Sequence, residues 1–149
     1  MAIRFGIDGK SYFCASGIGG TPSWSELSSV KNVTLNIDGK EVDVTTRASA
    51  PFAATDISLQ EATIDLEVPF NEADAGYLAL ETAFITRALI GMAVMSGPIL
   101  TNGSRGLWAD CKITKFDRDE PLEGQIMVKV TAKPTYSTNV PRWKIVGQN

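Results

Sequence analysis

The stretch Val33–Thr46, VTLNIDGKEVDVTT, decides the reading of the fold. Val33, Leu35 and Ile37 alternate with Thr34 and Asn36, and Val42 and Val44 alternate with Glu41, Asp43 and Thr45. Alternation with a period of two gives a strand one apolar face and one polar face. Between the two runs stands Asp38-Gly39, a dipeptide that accommodates the two positive φ angles of a type I′ turn. The stretch therefore predicts a β-hairpin that reverses at Asp38-Gly39 and leaves a polar row on each strand in water.

Working outward, Ile3, Phe5 and Ile7 alternate ahead of Asp8-Gly9 and predict another hairpin, with Lys10–Ala15 as its second strand. Gly17–Ser25 (GIGGTPSWS) is read as a loop pinned to the core by Trp24 and Leu27. It lacks G-x-G-x-x-G and the Walker Lys-Ser/Thr, and no strand–helix alternation surrounds it, so it does not cradle a phosphate. On the other side, Arg47–Ser58 (RASAPFAATDIS) is rich in small residues and broken by Pro51. A connection that long tends to be functional, and Phe52 within it is a natural contact anchor.

Leu59–Phe70 reads as a strand, with Ala62, Ile64, Leu66 and Val68 facing one way and Glu61, Thr63, Asp65 and Glu67 the other. A helix over about residues 72–86 follows, with Asn71 as its N-cap and acids in its first turn. Ala73, Tyr77, Leu80 and Phe84 form its narrow apolar stripe, which suits one side of a sheet. Leu89–Met95 is apolar on both faces and predicts a central or interfacial strand. Two long strands, about Leu107–Asp117 and Gly124–Lys133, meet at a turn near Glu120-Pro121. Lys112, Thr114, Lys129 and Thr131 are candidates to pair on their polar face. The tail at residues 134–149 carries Tyr136 and Trp143 and is expected to dock outside its own segment. The sum is a mainly β domain: an antiparallel β-sandwich or barrel with one flanking helix.

Composition narrows the function. A chain of 149 residues suits a single domain spanning 1–149. A net charge of −3 without a Lys/Arg cluster argues against gripping nucleic acid. The absence of histidine removes the commonest general base and metal ligand. Cys14 and Cys111 lack C-x-x-C spacing, so no metal site is indicated; both read as buried thiols, with one long-range disulfide as the alternative. No cofactor, signal peptide or membrane span is expected. The acids Glu41, Asp43, Glu61, Asp65 and Glu67 would form a negative wall if their strands were neighbours. A carboxylate-pair hydrolase would need a pocket that raises one pKa, and nothing supplies one. A solvated face and a functional negative surface remain the two readings.

One resemblance spans about Gly17 to Trp143. It rests on the order of Trp24-Ser25-Glu26-Leu27, Val30–Leu35, Glu41–Ala48, Glu61–Phe70, Gly106–Asp110, Asp119–Glu123 and Val130–Tyr136. In this order the chain resembles the tail tube (major tail) proteins of tailed bacteriophages and related tube-forming bacterial proteins. The resemblance implies a β-sandwich or barrel whose sheets join around a lumen in six-membered rings, stacked into a tube that conducts DNA or an effector. It implies a virion tail or phage-tail-like particle, with assembly rather than catalysis as the function. Glu41, Asp43, Asp65 and Glu67 are the candidate lumen-facing acids, since like charge lets DNA slide without sticking. Arg47, Pro51, Phe52, Ile57, Tyr136 and Trp143 are the candidate inter-subunit contacts. The competing reading is a monomeric β-sandwich that binds a ligand or carbohydrate.

Overall fold

A computed structural model describes Gly6, residues 9–19 and residues 22–147. The strand expected at Ile3–Ile7 lies outside the described residues, apart from Gly6. The elements in order are β1 (Lys10–Cys14), β2 (Ser25–Glu26), β3 (Asn32–Asp43), β4 (Thr55–Pro69), α1 (Ala75–Thr86), β5 (Ile90–Met95), β6 (Arg105–Asp119), β7 (Met127–Pro134) and β8 (Arg142–Ile145). The strands form one antiparallel sheet in the order β2-β1-β5-β6-β7-β4-β3, and β8 pairs with β6 beyond the end of β7. The expected antiparallel β architecture with a single helix is what the chain adopts.

The sheet curls so that both ends feed one core. Leu27 beside β2, Leu66 and Val68 on β4, Met92 on β5 and Val128 on β7 belong to the same buried cluster as Tyr77, Leu80 and Ala83 of α1. The backbone nearly closes the curl where Leu27 N–H donates to Ser11 O and Lys31 N–H donates to Glu67 O. A second, smaller cluster on the outer side of β5 joins Tyr12, Ala93, Met95 and Trp108, with Trp24, Ile99 and Val146 packed against it. β5 therefore has apolar neighbours on both faces, as its unbroken apolar sequence predicts. Trp24 meets Trp108 edge-on at 5.1 Å, and Leu27 is buried, so both residues pin the glycine-rich loop as expected.

Three local expectations are corrected. Asp38-Gly39 is not a turn. β3 runs straight through it, Asp38 pairing with Glu61 and Gly39 with Gln60. Neither residue has the positive φ that a type I′ turn needs. The glycine serves a β-bulge instead: Ser58 and Leu59 stand opposite Lys40 alone, and a Cβ on Gly39 would come within 2.9 Å of Ile57 Cγ2. The reversal lies further on, between Asp43 and Thr55, so Thr55–Ser58 of the expected loop belong to β4.

The helix begins later than expected. Asn71 Oδ1 accepts from Ala73 N–H in a turn ahead of α1, while Asp74 in extended conformation caps the helix by accepting from Gly76 N–H and also takes the Ser29 hydroxyl. Ala73 thus precedes the helix, and the buried face is Gly76, Tyr77, Leu80 and Ala83. Phe84 stacks on Phe116 at 5.5 Å, which seats the helix on β6.

The third correction concerns the polar face of β6 and β7. An irregularity at Thr114 sets Lys115 opposite Thr131 and Asp117 opposite Lys129, while Lys112 faces Lys133. Cys14 and Cys111 are free and buried. Burial, and then the neighbouring Asp110 charge, pushes the Cys111 thiol up to about 12, so it is unreactive in the folded chain.

Candidate assembly interface

β3 and β4 outrun the rest of the sheet. β7 pairs with β4 only from Ile64 to Pro69, so Thr55–Thr63 and the facing part of β3 project as a two-stranded ribbon. At about 3.4 Å per residue, its tip lies about 30 Å beyond the last pairing with β7. Every residue from Asp38 to Gln60 is exposed except Ser49 and Ala54, which are half-buried. Isolated two-stranded ribbons are marginal in water. This arm nevertheless carries apolar side chains, Phe52 at 79% exposure, Leu59 at 65% and Ile57 at 56% among them. Such residues on a projecting element are candidates for a contact surface.

The tip is organised by its own hydrogen bonds. Val44 N–H donates to Ala54 O, and Phe52 N–H donates to Ser49 O. Thr46 N–H donates to Ser49 Oγ, and Arg47–Ser49 form a 3₁₀ turn before the cis Ala50-Pro51 bond. Asp43 Oδ1 accepts from the Thr45 hydroxyl at 2.5 Å and from Thr45 N–H at 2.9 Å. These bonds, the hydroxyl's foremost, hold the Asp43 carboxyl below its ordinary 3.8. A depressed carboxyl pKa favours the ordered tip above 3.8, and that preference is lost as pH falls through the folded value. Carboxyl NMR titration should therefore place Asp43 below 3.8, with Thr45→Ala returning it toward 3.8; an unchanged titration in T45A would remove Thr45 as the cause.

The four candidate lumen acids do not form one wall. Glu41 and Asp43 pair with Ile57 and Thr55 on the arm. Asp65 and Glu67 lie on the body, between Thr34 and Thr131 and between Asn32 and Lys129 respectively. The bulge brings Ile57 over Gly39, so by alternation Glu41 and Asp43 continue the row of Val33, Leu35 and Ile37. Asp65 and Glu67 point away from that row. Asp65 Oδ1 accepts from Thr131 Oγ1 at 2.8 Å, and the surrounding face mixes Lys115, Asp117 and Lys129 with the acids.

The candidate contacts fall in two places. Arg47, Pro51, Phe52 and Ile57 are all on the arm and all exposed. Tyr136, 94% exposed, and Trp143, 53% exposed, belong to the C-terminal segment. That segment is not a free tail: β8 pairs Trp143 with Leu107 and Arg142 with Trp108, and the Arg142 guanidinium lies 5.3 Å from the Trp108 ring centre. Where β7 ends and β8 begins, a groove of about 710 Å³ opens between the base of the arm and the C-terminal segment. Ile37, Ala62, Lys133, Val140, Pro141 and Trp143 are among its lining residues.

Sequence reasoning missed Lys133, Val140, Pro141 and Arg142 as parts of this surface. One signal was present: no acid follows Glu123, while Lys129, Lys133, Arg142 and Lys144 do. It also missed Asp110, buried in β6, which accepts from Ile18 N–H at 2.7 Å and from the Ser137 hydroxyl at 2.6 Å.

No protein-family model matches the chain, and no curated protein matches it in sequence. Solved structures do match its fold. It is similar to the tail of an empty gene transfer agent particle refined with helical C6 symmetry, at 14% identity and a TM-score of 0.73, covering 97% of this chain and 100% of that one. It is similar to the SPP1 tail tube protein at 11% identity and a TM-score of 0.70, covering 88% of this chain and 75% of that one. The six-fold symmetrised baseplate of the anti-feeding prophage contains a chain that matches at 9% identity and a TM-score of 0.62, over 99% of this chain and 98% of that one. The chain has the tail-tube fold.

Proposed function

We propose that this chain is the structural subunit of a hollow tail tube. Copies join into rings, six to a ring, the rings stack, and the tube conducts DNA or a protein effector in a virion tail or phage-tail-like particle. The observation that carries the reading is the full-length likeness to a tail built with C6 symmetry. The molecule's own edges support it. Among the described residues β3 is an open edge strand of twelve residues, and a long exposed edge invites pairing with another chain unless assembly covers it. The arm supplies apolar anchors for the same purpose.

In this reading Asp65 and Glu67 remain the acids proposed for the lumen, on a polar sheet face where they are interleaved with Lys115, Asp117 and Lys129. Glu41 and Asp43 go to the arm. No catalytic step or cofactor is assigned. Trp24 and Trp108 pack on each other in the second core cluster, so they do not form a ligand-binding aromatic shelf. Size-exclusion chromatography with light scattering, followed by negative-stain imaging of the same fractions, tests the proposal. Rings or tubes with a central hole are expected. A strict monomer at high concentration and at every salt would overturn it in favour of a monomeric binding module.

A further inference from the structure

Two surfaces of opposite charge lie in different parts of the chain, and among the described residues neither has an ion-pair partner. From Asp38 to Gln60 the arm carries Asp38, Glu41, Asp43 and Asp56 against Lys40 and Arg47 only, a net −2, while Glu61 at its base lines the groove itself. From Lys133 to Ile145 the C-terminal segment carries Lys133, Arg142 and Lys144 with no acid. Among the described residues the ion pairs are Lys10–Glu26, Lys115–Asp117 and Arg118–Glu120, none of which involves either surface. Both surfaces also carry exposed apolar side chains: Phe52, Ile57 and Leu59 on the arm, Val140 and Trp143 in the C-terminal segment.

From this complementarity we infer that the arm of one subunit docks into the groove of a second copy. The acidic arm meets Lys133 and Arg142, and Phe52 enters beside Val140, Pro141 and Trp143. The inference rests on the tube-subunit reading and specifies which surfaces make the contact. Docking within one chain is excluded by reach. The groove is walled on one side by the base of the arm itself, at Gln60–Thr63, and the tip points about 30 Å away from there. A second copy has no such constraint. Opposite charges would steer the encounter and fix its register, while apolar burial in the groove would hold it.

The charges chosen for the test avoid Asp43, which organises the tip. E41K/D56K and K133E/R142E alter residues that are all exposed, so each chain should keep the wild-type circular dichroism spectrum, with the melting temperature unchanged in the first and lower by only a few degrees in the second, where Arg142 leaves the Trp108 ring. Each pair alone is expected to reduce the sedimentable, ring-containing fraction by about tenfold, because like charges are then juxtaposed. All four substitutions in one chain should restore it to within about twofold, since the attraction is re-formed with its signs exchanged. A second readout is geometric. A chain carrying only F52C, mixed with a chain carrying only V140C, should give a disulfide-linked heterodimer on oxidation, with the buried native thiols contributing no background. If wild-type chains assemble while both charge variants assemble equally well and the cysteine mixture stays unlinked, the docking is overturned and the tube reading stands. If wild-type chains never assemble, both fall together.

Discussion

A chain in which Val44–Ala54 is replaced by Asn-Gly is expected to remain a folded monomer and to lose assembly. Only Ser49 and Ala54 in the deleted segment are even half-buried, and its backbone and side-chain hydrogen bonds run within the tip or to Asp43. Asn-Gly supplies the two-residue turn that a ribbon ending at Asp43 and Thr55 requires. Removing exposed, self-contained structure changes global stability by no more than about 0.5 kcal/mol, which moves the melting temperature by roughly 2 °C. Assembly responds differently. Losing a central aromatic anchor such as Phe52 costs more than about 2 kcal/mol per contact, about thirtyfold, and a ring repeats that loss at each interface. Melting curves and negative-stain counts on the same preparation separate the two effects. A shortened chain that still builds tubes would show that the arm is dispensable to the interface. One that unfolds would show that the arm belongs to the body.

How the arm was misread shows where sequence logic stops. The alternation in Val33–Leu35 and in Ala62–Val68 gave correct core faces, because those residues join the buried cluster under α1 and a slip of one residue would bury their polar neighbours. Beyond Ile37 nothing among the described residues covers either face of the ribbon, so alternation loses its physical cause. Val42 and Val44 then look like core residues and are in fact exposed. Asp38-Gly39 carries a strong short-range turn signal, yet a partner strand reaching back to Thr55 offers its backbone a full ladder, and the ladder wins. The Asn71 cap failed for a smaller reason: Asp74, three residues on, competes for the same role and also takes the Ser29 hydroxyl from a segment 45 residues away in sequence. The groove was not legible at all, since it is made where β8 continues the line of β7 along β6, a matter of topology.

Asp110→Ala is expected to cost about 3 kcal/mol, a fall of roughly 10 °C in melting temperature, and to weaken assembly beyond what that loss explains. The side chain is 1% exposed at the middle of β6 and ties down two segments that have no strand of their own at that point. Ile18 N–H donates to Oδ1 and the Ser137 hydroxyl to Oδ2, while Thr135 N–H donates to the backbone carbonyl. Ser137 in turn accepts from Asn139 N–H, which orders the approach to Val140 and Pro141. Gly17, at φ +90°, lets the loop come close enough, for a Cβ there would stand 3.0 Å from Asp110 Oδ1. Truncation to alanine leaves a buried amide and a hydroxyl without their acceptor, so the cost includes their desolvation as well as the lost bonds. Asp110→Asn keeps one acceptor for Ile18, and a reoriented Ser137 hydroxyl can accept from its amide. That variant should lose only about 1 kcal/mol. The assembly effect follows from position: Pro134, Val140 and Pro141 line the groove, and freeing the segment between them adds an ordering cost to every docking event. Assembly measured at a temperature where D110A is still fully folded isolates that cost. If D110A melts within 2–3 °C of wild type, the carboxylate is not the latch, and the order of the C-terminal segment must come from β8 alone.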